Sequence, residues 1–154
     1  HYQKLLMGVH RLDLRAHCSA IDDLAVIRSA IKKLVGDDTT IIEKSDKSWH
    51  GGPQTNFSLE ITRKKDVRFV ISQLGNQCLT TLLEGDILSR IDDRNIIHLR
   101  LSLAEFCCGK IEISESRKRE PCIKLNIKLE VYPGQSVNDI AIECLQNAIS
   151  TDEN

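Results

Sequence analysis

The first part of the chain alternates between apolar and polar residues, a pattern that predicts a β-strand. Within Val9–Ser19, the apolar side chains from Leu12 to Cys18 fall on every second position, and charged or polar ones fall between them. A period of two residues is the geometry of a strand with one buried face. We therefore expect the apolar side to pack on a core and the side that carries Arg11, Arg15 and His17 to point away from it.

Four longer stretches have apolar residues at helical spacing, which predicts α-helices. They cover residues 24–35, 65–74, 77–91 and 137–150. Capping-box patterns at Ser19/Asp22 and at Ser136/Asp139 predict where the first and last of these helices begin. Gly36 predicts the end of the first one. A short helical turn is also expected at residues 103–108.

Further strands are predicted by runs of alternating or β-branched residues. They lie at residues 39–47, 56–62, 96–102, 110–114 and 123–131. The last is the clearest, because its apolar residues alternate with Lys124, Asn126, Lys128 and Glu130 up to the turn at Pro133. Single-faced strands joined by hairpin-like connections predict an α+β fold, with a single-layer antiparallel or mixed sheet covered on one face by helices.

Length and composition allow one hydrophobic core. The chain has 154 residues, of which 41% are hydrophobic and 28% charged, and it contains no internal repeat or change in composition that indicates a boundary. We expect residues 8–150 to form one α+β domain, residues 1–7 to be an appended or upstream extension, and residues 151–154 to be a frayed tail. Because no apolar run approaches the ~20 residues of a membrane span, we expect a soluble, cytoplasmic protein.

Catalytic and metal-binding patterns do not stand out in the sequence. The six cysteines form no CxxC pair, and free thiols at apolar positions are typical of a core. The histidines lack the spacing of a zinc motif, and no phosphate-binding loop or nucleophile motif is present. We therefore expect no catalytic residues, no metal and no cofactor, and we expect that the protein is not an enzyme.

The net charge of −1 hides an uneven distribution. Residues 44–68 hold six Lys and Arg against three acidic residues, whereas residues 131–154 hold four acidic residues and no basic one. The basic segment includes a loop with an aromatic ring and two glycines. Positive charge, a stacking aromatic and an approachable backbone are the chemistry of RNA recognition. The predicted RNA-binding residues are Lys47, Trp49, His50, Gly51, Gly52, Arg63, Lys64, Lys65 and Arg68.

Each part of this prediction has a plainer alternative. Arg63–Arg68 also fits the solvated start of a helix, and Gly51-Gly52-Pro53 also fits an ordinary turn. Trp49 either stacks on an unpaired base or folds back on the edge of the core. A second basic run, Arg117–Arg119, is interleaved with glutamates and favours a solvated loop. The basic side of the first strand joins a nucleic-acid surface only if that face of the sheet is open, and Asp13 weakens the case.

Several short motifs together resemble the archaeal predicted RNA-binding family that is linked to the exosome. They are His10-Arg11-Leu12-Asp13, Arg15–Ala20 before a helix, Trp49–Pro53 before a strand, Arg63-Lys64-Lys65 at a helix start, Arg90–Asp93 before a strand, and Val131-Tyr132-Pro133. The resemblance covers about residues 9–133. It implies the fold of the large-subunit ribosomal protein that carries 5S ribosomal RNA, and it implies RNA binding without catalysis.

The loop motif matches this family in part. His50, Gly51 and Pro53 stand at the family's histidine, glycine and proline positions, whereas Gly52 stands where the family has asparagine. A side-chain amide able to bond to a base is therefore missing at this point. Glycine still permits a close approach of the backbone to a ligand.

Two hypotheses on function follow. The first is a non-catalytic RNA-binding protein that acts with RNA processing by the exosome or with ribosomal RNA, and whose further partners are exosome or ribosome components. The alternative is a protein-interaction subunit of an RNA-processing assembly with little direct RNA contact. Its contact would be the acidic C-terminal helix, with Asp139, Glu143, Gln146 and Asn147 on the exposed side.

Overall fold

An antiparallel sheet of five strands forms the centre of the computed structural model, which describes residues 8–19, 22–47, 52–114 and 120–149. The strands in chain order are β1 Val9–Ser19, β2 Ile42–Lys47, β3 Pro53–Ile61, β4 Ile96–Ser102 and β5 Cys122–Leu129. Their order across the sheet is β2-β3-β1-β5-β4, and every neighbouring pair is antiparallel. The predicted α+β class with a single-layer sheet is confirmed.

The helices pack on one face of this sheet. In chain order they are α1 Leu24–Val35, α2 Lys64–Gln73, α3 Asn76–Glu84, α4 Leu103–Cys107 and α5 Val137–Ala148, with a 3₁₀ helix at Ile87–Arg90. α1 contacts α2 and α4, while α5 contacts α2, α3 and β5. None of the helices in the described residues is long and apolar enough to cross a membrane.

The alternation along each strand decides which side chains enter the core. On β1, Leu12 and Leu14 are fully buried, whereas Arg15 and His17 are exposed. The same alternation holds along β3, β4 and β5, and their apolar side chains join those of the helices in one continuous core. This core is mainly aliphatic, as the composition predicts.

The helix starts follow local signals, with one correction. Asp23 caps α1, because its side chain accepts from two backbone N–H groups of the first turn at 3.1 and 3.3 Å. Ser19 instead donates its backbone N–H to Asp22 within the preceding turn. The predicted start at Ser19/Asp22 is therefore wrong, since an aspartate directly before the first helical residue is better placed to cap it. Ser136 does cap α5, by accepting from the backbone N–H of Asp139.

One predicted strand and one predicted helix are also wrong. The helix expected at residues 77–91 divides into α3 and the 3₁₀ helix, because Gly85 ends α3 and glycine has a low helix propensity. Residues 110–114 form no strand. They reach β4 only through one bridge, between Ile113 and Leu101, and two backbone hydrogen bonds, a ladder too short to define a strand.

Most of the cysteines lie in or against the core. Cys18 and Cys78 are buried, and this burial raises the pKa of both thiols to about 11. Burial also raises the pKa of Cys144 to about 12 and raises the pKa of Cys107. These thiols are therefore protonated at neutral pH and behave as small hydrophobic side chains. Cys108 differs from them, because it is exposed.

Alkylation at pH 8 should distinguish these thiols. We expect iodoacetamide to modify Cys108 well before Cys18 or Cys78, because the thiolate is the reactive species and the buried thiols rarely form it. Mass mapping of peptides over a time course measures the order of modification. Urea should abolish the difference, and labelling of Cys18 as fast as Cys108 in the native protein would contradict its buried position.

Candidate functional site

The predicted basic residues are divided between the two ends of β3. The loop that includes Gly52 precedes the first residue of this strand, whereas Arg63 and Lys64 follow its last residue. The strand has nine residues, which at ~3.3 Å per residue separate its ends by about 26 Å. Lys47 and Gly52 therefore lie at one end of the sheet and the cations of α2 at the other, so they do not form one cluster.

At the α2 end, two of the cations are already paired within the fold. Arg63 is the N-cap of α2 and lies 3.8 Å from a carboxylate of the same helix. The Nζ of Lys64 lies 2.6 Å from a carboxylate oxygen of Glu130, directly after β5. Lys65 is exposed. Arg68 lies one helical turn after Lys64 and lines a cavity of about 110 Å³ between α2 and α5.

At the other end of β3, the described residues include both flanks of the loop. Of the predicted site residues, Trp49, His50 and Gly51 lie outside the described ranges. Lys47 ends β2 opposite Pro53, and Gly52 is exposed. β2 and β3 pair antiparallel, as the two strands of a hairpin do, and β3 begins at the end of the sheet where β1 finishes with Ser19.

The solvent face of the sheet carries a row of three cations. Arg15 on β1 pairs with Lys124 on β5, and Lys124 pairs in turn with Arg100 on β4. Paired positions of an antiparallel sheet lie on the same face, with Cβ atoms about 5 Å apart. All three residues are exposed. We call Arg15, Lys124 and Arg100 the central cation row.

Electrostatic repulsion acts within the central cation row. Within the described part of the chain, none of its members has an ion pair. Lys124 has a like charge on each side, and directly opposed like charges destabilise a sheet. The row borders a groove of about 500 Å³ on the solvent face, whose lining includes Arg15, His17, Asn56, Ser58 and Lys124. An anion over Lys124 would relieve the repulsion.

A second row, of hydrogen-bonding groups, lies two residues further along the strands. Asp13 on β1 pairs with Asn126 on β5, and Asn126 pairs with His98 on β4. We call Asp13, Asn126 and His98 the polar row, which Glu60 extends onto β3. A carboxylate accepts hydrogen bonds, and an amide both donates and accepts them. The polar row can therefore bond to hydroxyl groups and base edges.

The turn before β4 fixes the imidazole of His98. The Nε2 of His98 lies 2.7 Å from an Asp92 carboxylate oxygen, and the other oxygen accepts from the backbone N–H groups of Arg94 and Ile96 at 2.8 and 3.1 Å. The bond from His98, helped by the two backbone bonds, lowers the pKa of Asp92 to about 2. Lys128 is held by the same turn, because its Nζ donates to the backbone carbonyl of Arg94.

Two more cations lie on the far side of the polar row. Arg11 on β1 pairs with Lys128 on β5, four residues along each strand from the central cation row. The guanidinium of Arg11 lies 3.5 Å from Asp13 and 3.9 Å from Glu60. We call Arg11 and Lys128 the flanking cation pair. The face therefore presents cations, hydrogen-bonding groups and cations again, in that order along the strands.

Sequence reasoning found only part of this surface. The exposed side of β1, with Arg11, Arg15 and His17, was predicted from alternation, and the structure confirms it. The exposure of Lys124 can be predicted in the same way, because Lys124 is at a polar position in the alternating pattern of β5. Its alignment with Arg15 depends on strand pairing, which the alternation within one strand does not specify.

The acidic C-terminal helix, which is the alternative contact, belongs to the helical layer. α5 buries Ala141 and Leu145 in the core, while Asp139 is exposed and Glu143 is half-buried. A truncation before α5 would uncover the core. Deletion of this helix therefore cannot separate partner binding from folding.

Helices on one face of an antiparallel sheet, with cations aligned on the other, define an α+β protein with an open, anion-attracting sheet face. The chain belongs to the RNA-binding family, whose model, described as RNA binding, matches residues 11–129. The matched range extends from β1 to the last residue of β5 and leaves α5 outside. The family resemblance seen in the sequence is confirmed at this level.

Solved structures from archaea share the fold. A DUF54 protein from Methanothermobacter thermautotrophicus gives a TM-score of 0.67 at 19% identity, over 93% of this chain and 99% of its own. A DUF54 protein from Archaeglobus fulgidus gives 0.70 at 18% identity, over 91% and 99%. A UPF0201 protein from Methanococcus jannaschii gives 0.56 at 12% identity, over 86% and 92%. No curated protein matches the chain.

Removal of the middle cation should stabilise the free protein. We expect Lys124→Gln to raise the free energy of unfolding by about 0.2–1 kcal/mol at low salt, because it removes two like-charge pairs. Urea denaturation in 20 mM and in 1 M salt measures the effect, which should shrink in high salt through screening. Lys32→Gln on α1 is the matched control. A loss of stability at low salt would contradict the repulsion.

The carboxylate of Asp92 should stabilise the fold in a pH-dependent way. We expect Asp92→Asn to lower the free energy of unfolding, because the amide keeps an acceptor for the turn but loses the charge beside His98. The folded pKa of Asp92 is lowered to about 2, so the deficit should be fully present above about pH 4, the usual pKa of aspartate, and vanish as the pH falls through 2. Urea denaturation at pH 7, 4 and 2.5 tests this, and an undiminished deficit at pH 2.5 would refute it.

Proposed function

We propose that this chain binds RNA through the open face of its sheet and that the central cation row holds the phosphodiester backbone. The observation that carries the proposal is the alignment of Arg15, Lys124 and Arg100 on neighbouring strands, exposed and without an ion pair in the described residues. Because the chain belongs to the RNA-binding family, we take the polyanion that binds here to be RNA.

The two kinds of cation contribute differently to such a site. The guanidinium groups of Arg15 and Arg100 can each bond to two oxygens of one phosphate, whereas the ammonium of Lys124 acts as a point charge between them. Phosphates that bind here release their counterions, so the affinity falls as salt rises. Binding also offsets the repulsion among the three cations, so the bound anion stabilises the fold.

The strands that flank the predicted loop continue this face, and the loop serves as a second contact in the proposal. His17 pairs with Asn56, and Asn56 pairs with Lys44, so the face continues to the hairpin end of β2 and β3. The loop residues assigned to this contact are Lys47, Trp49, His50, Gly51 and Gly52. The α2 residues Arg63, Lys64, Lys65 and Arg68 form a separate contact at the far end. Action with the exosome or with ribosomal RNA stays a prediction from the family resemblance.

A triple substitution tests the role of the central cation row. We expect the combined variant Arg15→Gln, Arg100→Gln and Lys124→Gln to weaken RNA binding more than about tenfold and to lower the log–log salt slope by about two to three, one unit for each lost phosphate contact. Fluorescence anisotropy with a labelled RNA hairpin that has single-stranded tails, at salt concentrations from 50 to 200 mM, measures both quantities.

A charge-matched control separates the site from net charge. The variant Lys32→Gln, Lys33→Gln and Lys110→Gln removes three exposed cations from the helical side, and we expect it to keep the affinity within about threefold. The variant Arg63→Gln, Lys64→Gln and Lys65→Gln measures the α2 contact separately. If all three variants lost RNA affinity equally, net charge alone would drive binding. If the combined variant of Arg15, Arg100 and Lys124 lost no affinity, the proposed site would be refuted.

A further inference from the structure

Within the described residues, the open face carries none of the aromatic rings on which single-stranded RNA is usually stacked. Four aromatic residues are described. Phe57 and Phe106 are buried, Phe69 lies on α2, and Tyr132 follows the end of β5. None of them lies on the solvent face of the sheet. Sheets that bind unpaired RNA place aromatic side chains there, and each stacked base adds about 1–3 kcal/mol.

The spacing of the charged rows also argues against a single backbone. The central cation row and the flanking cation pair lie four residues apart along β1 and β5, a separation of about 13 Å. A single backbone that follows the three members of the central cation row across the sheet does not reach the flanking cation pair. A double helix offers two backbones with a groove between them, and the polar row would then face that groove.

We infer that the open face binds double-helical RNA and lies across its minor groove, an inference that rests on the RNA binding proposed above. The minor groove of an A-form helix is wide and shallow and displays the 2′-hydroxyl groups. These hydroxyls donate and accept, so they suit the carboxylate of Asp13 and the amide of Asn126. The central row and the flanking pair would each take the phosphates of one strand.

Arg11 of the flanking cation pair is available for this role at a small energetic cost. The ion pairs of Arg11 with Asp13 and Glu60 are 3.5 and 3.9 Å long and lie at a surface where a third of the Arg11 side chain is exposed. Exposed ion pairs of this kind contribute little to stability. A phosphate can therefore replace them, and the released carboxylates become free to accept hydrogen bonds from 2′-hydroxyls.

Three ligands with the same base sequence test the inference: an RNA duplex, a single-stranded RNA and a DNA duplex. We expect the protein to bind an RNA duplex of about 16 base pairs, enough to present two successive minor grooves, about tenfold more tightly than the single-stranded RNA or the DNA duplex. Anisotropy at 100 mM salt measures the three dissociation constants. Equal or tighter binding of the single strand, or of the DNA duplex, would overturn the inference and leave RNA binding intact. If neither the RNA duplex nor the single-stranded RNA binds, the proposed function itself is refuted.

Single substitutions separate groove contacts from phosphate contacts. We expect Asn126→Ala to weaken binding of the RNA duplex by about fivefold, to reduce its preference over the DNA duplex, and to leave the salt slope unchanged, because it removes a neutral hydrogen-bonding group. Lys124→Gln should weaken both duplexes alike and lower the salt slope by about one. Asn147→Ala, which removes an exposed amide on α5, is the matched control. An unchanged preference in Asn126→Ala would overturn the groove contact.

Discussion

The pairing of β1 with both β3 and β5 is the constraint on which the rest of the structure depends. Its apolar side chains are fully buried, and each such leucine contributes about 1.5–3 kcal/mol by leaving water. A shift of the register by one residue would turn Leu12 and Leu14 to solvent and bring Asp13 and Arg15 into the core. Burial therefore fixes the register, and the register in turn aligns Arg15 with Lys124 on the opposite face.

In the proposed function, the open face exchanges some stability for binding. A sheet optimised for folding alone would place opposite charges beside each other, as Asp13 and Glu60 lie beside Arg11. The central cation row does the opposite, because Lys124 has an arginine on each side. The deficit is small compared with the burial of the other face, so the fold tolerates it. A phosphate backbone turns the same three charges into a favourable contact.

The family match covers the sheet and the first four helices. The matched residues include all five strands and end with β5, whereas α5 lies outside them. α5 closes the core behind the sheet, and its acidic side chains lie away from the cation rows. The predicted basic cluster, by contrast, is spread over both ends of β3, so its loop and its α2 cations act as separate contacts in the proposed function.

The sequence by itself determined the period of each element, and with it the α+β class, the aliphatic core and the exposed side of β1. These are local properties, since a strand or a helix shows its buried face within ten residues. It did not determine which strands are neighbours, because pairing depends on burial shared by segments far apart in the chain. The central cation row draws its members from positions 15, 100 and 124, and only the tertiary structure brings them together. For the same reason, the predicted basic cluster is continuous in the sequence, but β3 separates Gly52 from Arg63 in the fold.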